Sequence, residues 1–137
     1  MLKDDERSEL VRYRIERAYR VLEEANDVAG MKHWNLASNR LYYAVFHICQ
    51  ALLISYGISS RSHAGLIHQI GEHFVMTGLL PKEYGRLIAL LYELRQSGDY
   101  NDRFDATEAE VLPYFPKVKN LFAEIQTLIE SKLSAPN

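Results

Sequence analysis

An arginine, a tyrosine and a histidine recur along one line of an otherwise apolar segment, Asn39-Arg-Leu-Tyr-Tyr-Ala-Val-Phe-His47. On a helix turning about 100° per residue, Arg40, Tyr43, His47 and Gln50 fall within an arc of roughly 80°, while Leu41, Ala44, Val45, Phe46, Ile48, Leu52 and Leu53 take the other directions. Burying a guanidinium without a partner costs on the order of several kcal/mol, so this line must face another polar element, a subunit interface or a water-filled groove. The best complement is Arg95-Gln-Ser-Gly-Asp-Tyr100, near the end of a later helix. Arg95 and Asp99 are four apart; if the helix persists they pair, which fixes the direction of the guanidinium. The chemistry on offer is a recess of charge-pairing and hydrogen-bonding groups. A plainer alternative is a buried ion pair and capped hydroxyls that only tie two helices together.

Other motifs lead away from catalysis by metals or nucleophiles. His63, His68 and His73 are spaced by five, which puts successive rings about 140° apart on a helix, so they do not share an ion. No His-Glu-x-x-His occurs, and Cys49 is the only cysteine. His68 and Glu72 share a face, as an ordinary i,i+4 surface pair does. Asp99 to Glu110 has oxygen donors at the first, third and twelfth positions of a calcium loop, but Arg103 and Phe104 stand where that loop needs an oxygen ligand and a glycine. Glycine-rich phosphate motifs and a serine hydrolase elbow are lacking. Neither a metal nor a cofactor is expected.

The elements that must carry these residues are helices. Val11, Ile15, Ala18, Leu22, Ala25 and Ala29 form the seam of a first helix over about Glu9 to Ala29. Its Arg14, Arg17 and Arg20 are interleaved with glutamates and read as a solvated face. A second helix runs from about Trp34 to Tyr56, ended by Gly57 in a left-handed cap. Ser62 caps a third, about His63 to Met76, and Pro81 opens a fourth, about Pro81 to Gln96, which Gly98 stops. Asp99 to Ala106 reads as a loop. Thr107 with Glu110 makes a capping box for a last helix carrying Val111, Phe115, Val118, Phe122, Ile125 and Ile129, with a kink or restart at Pro113 or Pro116 and a frayed tail from Ser134. The expected fold is all-α, an antiparallel bundle of about five helices in one domain spanning residues 1–137.

Composition agrees with this frame. A chain of 137 residues buries enough surface for a core without staples. Cys49 inside an apolar helix excludes an internal disulfide and fits a reducing, cytoplasmic setting. The opening Met1-Leu-Lys-Asp-Asp-Glu-Arg leads into no apolar export signal, and no run is long enough to span a membrane. Sixteen basic against eighteen acidic residues give a formal charge of −2, which argues against a wide basic face for duplex DNA and confines any nucleic-acid contact to a local site.

These residues resemble the HEPN domains (higher eukaryotes and prokaryotes nucleotide-binding), small helical bundles often encoded beside a minimal nucleotidyltransferase. The likeness spans most of the chain. It rests on Asn39 to His47 followed by Ala51-Leu-Leu and Gly57, on Ser62-His63-Ala-Gly-Leu66, and on Glu93-Leu-Arg95 followed by Asp99-Tyr100. The combination looks most like the prokaryotic branch whose last motif reads Arg, three variable residues, Asp, Tyr.

The resemblance implies a homodimeric helical bundle with the polar motif near the dimer cleft. Many members are metal-independent ribonucleases in which an arginine and a histidine four to six residues further on form the site. There the histidine accepts the 2′-hydroxyl proton and the arginine stabilises charge on the phosphate. Arg95 matches that arginine. Tyr100 stands where the histidine belongs, and a phenol with an ordinary pKa of about 10 is a poor base at pH ~7. In some toxin–antitoxin pairs the partner transferase modifies a tyrosine just after the histidine; here that position is Asp102.

The leading expectation is therefore a HEPN protein of a toxin–antitoxin-like module, homodimeric, with a nucleotidyltransferase partner. Its site is assigned to Arg95, Asp99 and Tyr100, and its nucleotide or RNA contacts to Arg40, Tyr43, His47, Arg61 and His63. One alternative is an active ribonuclease in which His47 or His63 replaces the missing base. Another is a non-enzymatic dimeric scaffold for protein docking.

Overall fold

The structure, a computed structural model, describes residues 3–135. Among these residues it contains six α-helices and one π-helical turn: α1 (Asp4–Gly30), α2 (Trp34–Ser55), α3 (His63–Ile70) continued by the π turn Gly71–Val75, α4 (Lys82–Tyr100), α5 (Glu108–Val111) and α6 (Tyr114–Ser134). The all-α bundle expected from the periodicity is what forms.

Helix α2 is the axis. Leu41, Tyr42, Ala44, Val45, Ile48, Cys49, Ala51, Leu52 and Leu53 are all fully buried, so the helix that is apolar nearly all round is the central one. It packs against α1, α4 and α6 as well as the short α3 and α5. Side-chain pairs Arg14 with His47 and Glu24 with Arg40 show that α1 and α2 run antiparallel, and the pairs Tyr43 with Arg95 and Asn39 with Asp99 show the same for α2 and α4. The α1–α2 connection turns at Lys32, whose φ is 64°. Cys49 lies in the core, and burial pushes its thiol well above the ordinary range, which keeps it inert.

Caps set the element ends. Gly57, at φ 73°, closes α2 with paired bonds from its own N–H to the Ile54 carbonyl at 2.9 Å and from Ile58 N–H to Leu53 at 2.9 Å, the left-handed cap expected. The Ser62 hydroxyl accepts from Gly65 N–H at 2.9 Å, and Thr107 with Glu110 makes its capping box.

Three boundaries depart from the sequence reading. Helix α1 starts at Asp4 rather than near Glu9, because Asp4, Asp5 and Glu6 favour a helix N-terminus and Glu6 accepts from the Lys3 N–H. The third helix is α only to Ile70; Met76 N–H then reaches back five residues to Gly71, and Phe74 in this π turn is buried edge-on against Tyr56. The restart expected in the last helix falls at Pro113, between α5 and α6, and Pro116 lies in the first turn of α6, where no intrahelical bond is lost. Helix α6 continues to Ser134, while the rest of the tail expected to fray, Pro136 and Asn137, lies outside the described residues.

The third departure matters for function. Helix α4 does not stop at Gly98 but runs on to Tyr100, so the loop begins at Asn101 rather than at Asp99. Gly98 serves a close approach instead. A Cβ there would stand 3.4 Å from both Asn35 Oδ1 and Ser38 Oγ on α2.

Candidate functional site

Because α4 persists through Gly98, Arg95 and Asp99 are one helical turn apart, with Arg95 Nε 2.9 Å from Asp99 Oδ2. The contact is ionic rather than a well-aligned hydrogen bond, since Nε has no bonded acceptor among the described residues. The other arm of the fork does bond: Nη2 donates to the Tyr43 hydroxyl at 2.9 Å and to the Tyr100 hydroxyl at 3.3 Å. The Arg95 Cζ also sits 5.1 Å from the Tyr43 ring centroid and 5.3 Å from that of Tyr100, within cation–π range. Arg95 is 8% exposed, and burial works against its charge. Tyr43, Tyr100 and Asp99 outweigh that and hold its pKa above the ordinary value.

Asp99 links the two helices. Its Oδ2 accepts from Asn39 Nδ2 at 2.8 Å, and Asn39 Oδ1 in turn accepts from Arg40 Nε at 3.0 Å and Nη2 at 2.7 Å. Arg40 continues to Glu24 on α1, 3.4 Å away, and its Cζ lies 5.4 Å from the Tyr43 ring. The result is a continuous chain, Glu24, Arg40, Asn39, Asp99, Arg95, with Tyr43 touched by both guanidiniums. Arg40 and Arg95 converge across α2 and α4.

His63 joins the same cluster from the start of α3. Its Nδ1 is 2.7 Å from the Tyr42 hydroxyl, and its ring packs with Phe46 at 4.9 Å, Tyr42 at 5.5 Å, and Tyr43 and Tyr92 at 5.9 Å between centroids. Burial, then the charge of Arg95, pushes its pKa down, so the imidazole is neutral at pH ~7. Burial also pushes the Tyr42 hydroxyl up, so it keeps its proton. Tyr42 thus engages Nδ1, and Nε2 is the nitrogen left for a ligand.

His47 sits elsewhere. It is bonded to α1, with Arg14 Nη1 3.1 Å from its Nδ1. A guanidinium only donates, so Nδ1 accepts and the ring is neutral with its proton on Nε2. Burial first, then Arg14, Arg17 and Arg40, lowers its pKa to about 4. Arg14 is accordingly no member of a solvated face, correcting the sequence reading. It is half-buried, and its Nε has no bonded partner among the described residues. Arg61 is exposed in the joint before α3, with no hydrogen bond or ion pair among the described residues. His68 and Glu72 make the surface pair foreseen, 3.3 Å apart and both exposed.

Sequence reasoning missed four participants: Arg14, Glu24, Asn39 and the Tyr42 hydroxyl. Glu24 carried no signal beyond a charged helix face, and Tyr42 looked like core, which its ring is. Among the described residues, no three histidine, cysteine or acidic side chains gather as a metal site would require.

A cluster of arginines, tyrosines and a neutral histidine on an all-helical frame is the site, and comparison with known proteins gives its family. The chain belongs to the HEPN domain family, matched over residues 11–128. It is 31% identical to a UPF0332 protein of Thermotoga maritima over 126 residues, 92% of this chain and 96% of that protein. It is also 36% identical to a putative toxin of Methanocaldococcus jannaschii over 115 residues, 83% of this chain and 85% of that one. A second putative toxin of the same organism is 28% identical over 70% of this chain and 65% of its own length. The similarity is thus to toxin-like HEPN proteins.

Proposed function

We propose that this chain is the HEPN component of a toxin–antitoxin-like module, acting as a homodimer with a nucleotidyltransferase partner and binding nucleotide or RNA at the Arg95 cluster. The observation that carries the reading is the placement of Arg95. It is fixed by Asp99, Tyr43 and Tyr100 at the edge of the bundle, under a Tyr100 ring that is 69% exposed. An exposed aromatic over a held guanidinium offers a base a stacking surface and a phosphate oxygen two N–H donors. The same exposed edge is where a second copy would close a cleft. The names of the two Methanocaldococcus jannaschii relatives supply the toxin-like part of the reading.

The deciding experiment measures binding of a labelled mononucleotide and of single-stranded RNA to wild type and Arg95→Ala. Loss of binding in the variant supports the cluster; equal affinity in both removes it. Size measurement by light scattering tests the dimer, and co-purification with the product of an adjacent reading frame tests the partner.

A second reading, metal-independent RNA cleavage, is favoured by one observation. His63 packs against Tyr43, the phenol bonded to Arg95, and presents Nε2, whereas His47 is committed to Arg14. In the tautomer whose Nδ1–H donates to the Tyr42 oxygen, His63 has a free Nε2 to accept a 2′-hydroxyl proton in place of the absent motif histidine. RNA products formed in the presence of chelator, abolished by His63→Ala and kept by His47→Ala, would establish it.

A further inference from the structure

A groove of about 680 Å³ opens at the other end of the α2 polar line, between α1, the end of α2, the following loop and the end of α6. Its lining includes Arg7, Arg14, Gln50, Ser59, Ser60 and Lys132, and among the described residues no carboxylate. Asp4 approaches Arg7 to 3.8 Å, but that side chain is exposed at the rim. Arg14 gives one N–H to neutral His47 and keeps a buried Nε with no partner among the described residues. Gln50 is steadied by Ser60 at 3.2 Å, and Lys132 Nζ rests 5.0 Å from the Tyr56 ring. Three cations therefore face one concavity whose described lining holds no carboxylate, and Asp4 at the rim is paired with Arg7 alone.

The Arg95 cluster is different. Its two guanidiniums, Arg40 and Arg95, are matched by two carboxylates, Glu24 and Asp99. A charge-balanced cluster orients a ligand but draws a phosphate weakly, whereas an unbalanced groove draws it strongly. The two places are connected: Gln50 ends the line that Arg40 begins, and His47 within it is held by a groove residue. From Arg40 to Gln50 the helix rises about 15 Å, roughly four stacked nucleotides at ~3.4 Å each.

We propose that the Arg7, Arg14 and Lys132 groove is a second phosphate-binding site that holds the backbone of single-stranded RNA while the neighbouring bases follow α2 to Arg95. The proposal rests on the nucleotide or RNA reading of the Arg95 cluster. It adds that RNA affinity resides in the groove and orientation in the cluster. A peptide acid would satisfy the charges equally but has no use for the aromatic line of Tyr43, Phe46 and His47 between the two places.

The test uses fluorescence anisotropy with a labelled oligouridylate of ~10 nucleotides, a labelled mononucleotide and inorganic phosphate as competitor. The proteins are wild type, Arg95→Ala, Lys132→Glu and Arg7→Gln with Lys132→Glu. Lys132 is exposed, so losing its contact with Tyr56 and its place in the last turn of α6 should lower the melting temperature by only a few degrees. The expected result is oligonucleotide affinity lowered ~5-fold or more in both groove variants, with the salt slope flatter by about 0.7 for each phosphate that is no longer neutralised. The groove variants should lower oligonucleotide affinity by a larger factor than mononucleotide affinity, whereas Arg95→Ala should lower both. Oligonucleotide affinity and slope unchanged in both groove variants would overturn the proposal, as would no oligonucleotide binding by wild type. Groove variants that change only competition by inorganic phosphate would also overturn it, marking a free-phosphate site. If Arg95→Ala binds both ligands normally while the groove variants lose RNA, the groove stands and the Arg95 reading falls.

Discussion

Arg95 and Tyr43 meet twice, once as a guanidinium 5.1 Å from a ring centroid and once as Nη2 donating to the same phenol at 2.9 Å. The double interaction joins the middle of α2 to the end of α4. Arg95→Ala should lower unfolding free energy by about 2 kcal/mol, because it leaves Asp99 and two hydroxyls without their partner. Tyr43→Phe keeps the ring and should cost only about 1 kcal/mol. Urea melts of the two variants check the ordering.

Asp99 competes with any phosphate for the Arg95 fork. Asp99→Asn keeps the bond to Asn39 within reach by side-chain shape but removes the negative charge. Oligonucleotide affinity at low salt should therefore rise, by ~3-fold or more, while stability drops by about 1 kcal/mol. A fall in affinity would argue that Asp99 touches the ligand itself.

His47 makes the fold acid-sensitive. Burial and its arginine neighbours hold its pKa near about 4, below the ordinary value of 6.5. Between those two values the unfolded chain binds a proton that the native chain does not, so stability is highest above pH ~6.5 and declines as pH falls towards ~4. His63, shifted in the same direction, adds to this slope. After allowance for solvent screening, the loss from His47 is on the order of 1–2 kcal/mol. Thermal melts of His47→Gln across this range should show a shallower decline than wild type.

Tyr42 is fully buried, and its hydroxyl is bonded only to His63 Nδ1 among the described residues. Tyr42→Phe should cost about 1 kcal/mol and leave the His63 ring without its anchor. If His63 works as a base, RNA cleavage drops sharply in this variant while RNA binding is kept. Parallel binding and cleavage assays separate the two effects.

Gly98 tests the helix continuation on which the site depends. Gly98→Ala gains helix propensity of about 1 kcal/mol and meets Asn35 and Ser38 at ordinary van der Waals distance, so it should leave stability unchanged or raise it by up to about 1 kcal/mol. Gly98→Leu has no room and should destabilise by about 2 kcal/mol, loosening the Asp99 to Asn39 bond as α4 is pushed from α2. Crystal structures or melts of the pair distinguish a packing glycine from a helix stop.

Much of the bundle was legible because helix burial is periodic. The all-round apolar character of Leu41 to Leu53 singled out the central helix, and local caps at Gly57, Ser62 and Thr107 are short-range chemistry that sequence spacing encodes. The convergence of Arg40 and Arg95 was also foreseeable, since buried cations need partners. Gly98 was misread because a helical glycine has two uses, ending a helix or letting another come close, and only the neighbouring helix distinguishes them.

By itself, the sequence determined the helical class, the central element, the polar line of Arg40, Tyr43 and His47, and its match to Arg95, Asp99 and Tyr100. Tertiary structure alone decided which histidine stands beside Arg95, that Arg14 turns inward, and that three cations at distant positions in the chain line one groove whose described lining holds no carboxylate. The physical reason is that periodicity reports which face of a helix is buried, whereas charge balance and hydrogen-bond partnership depend on which helices meet that face.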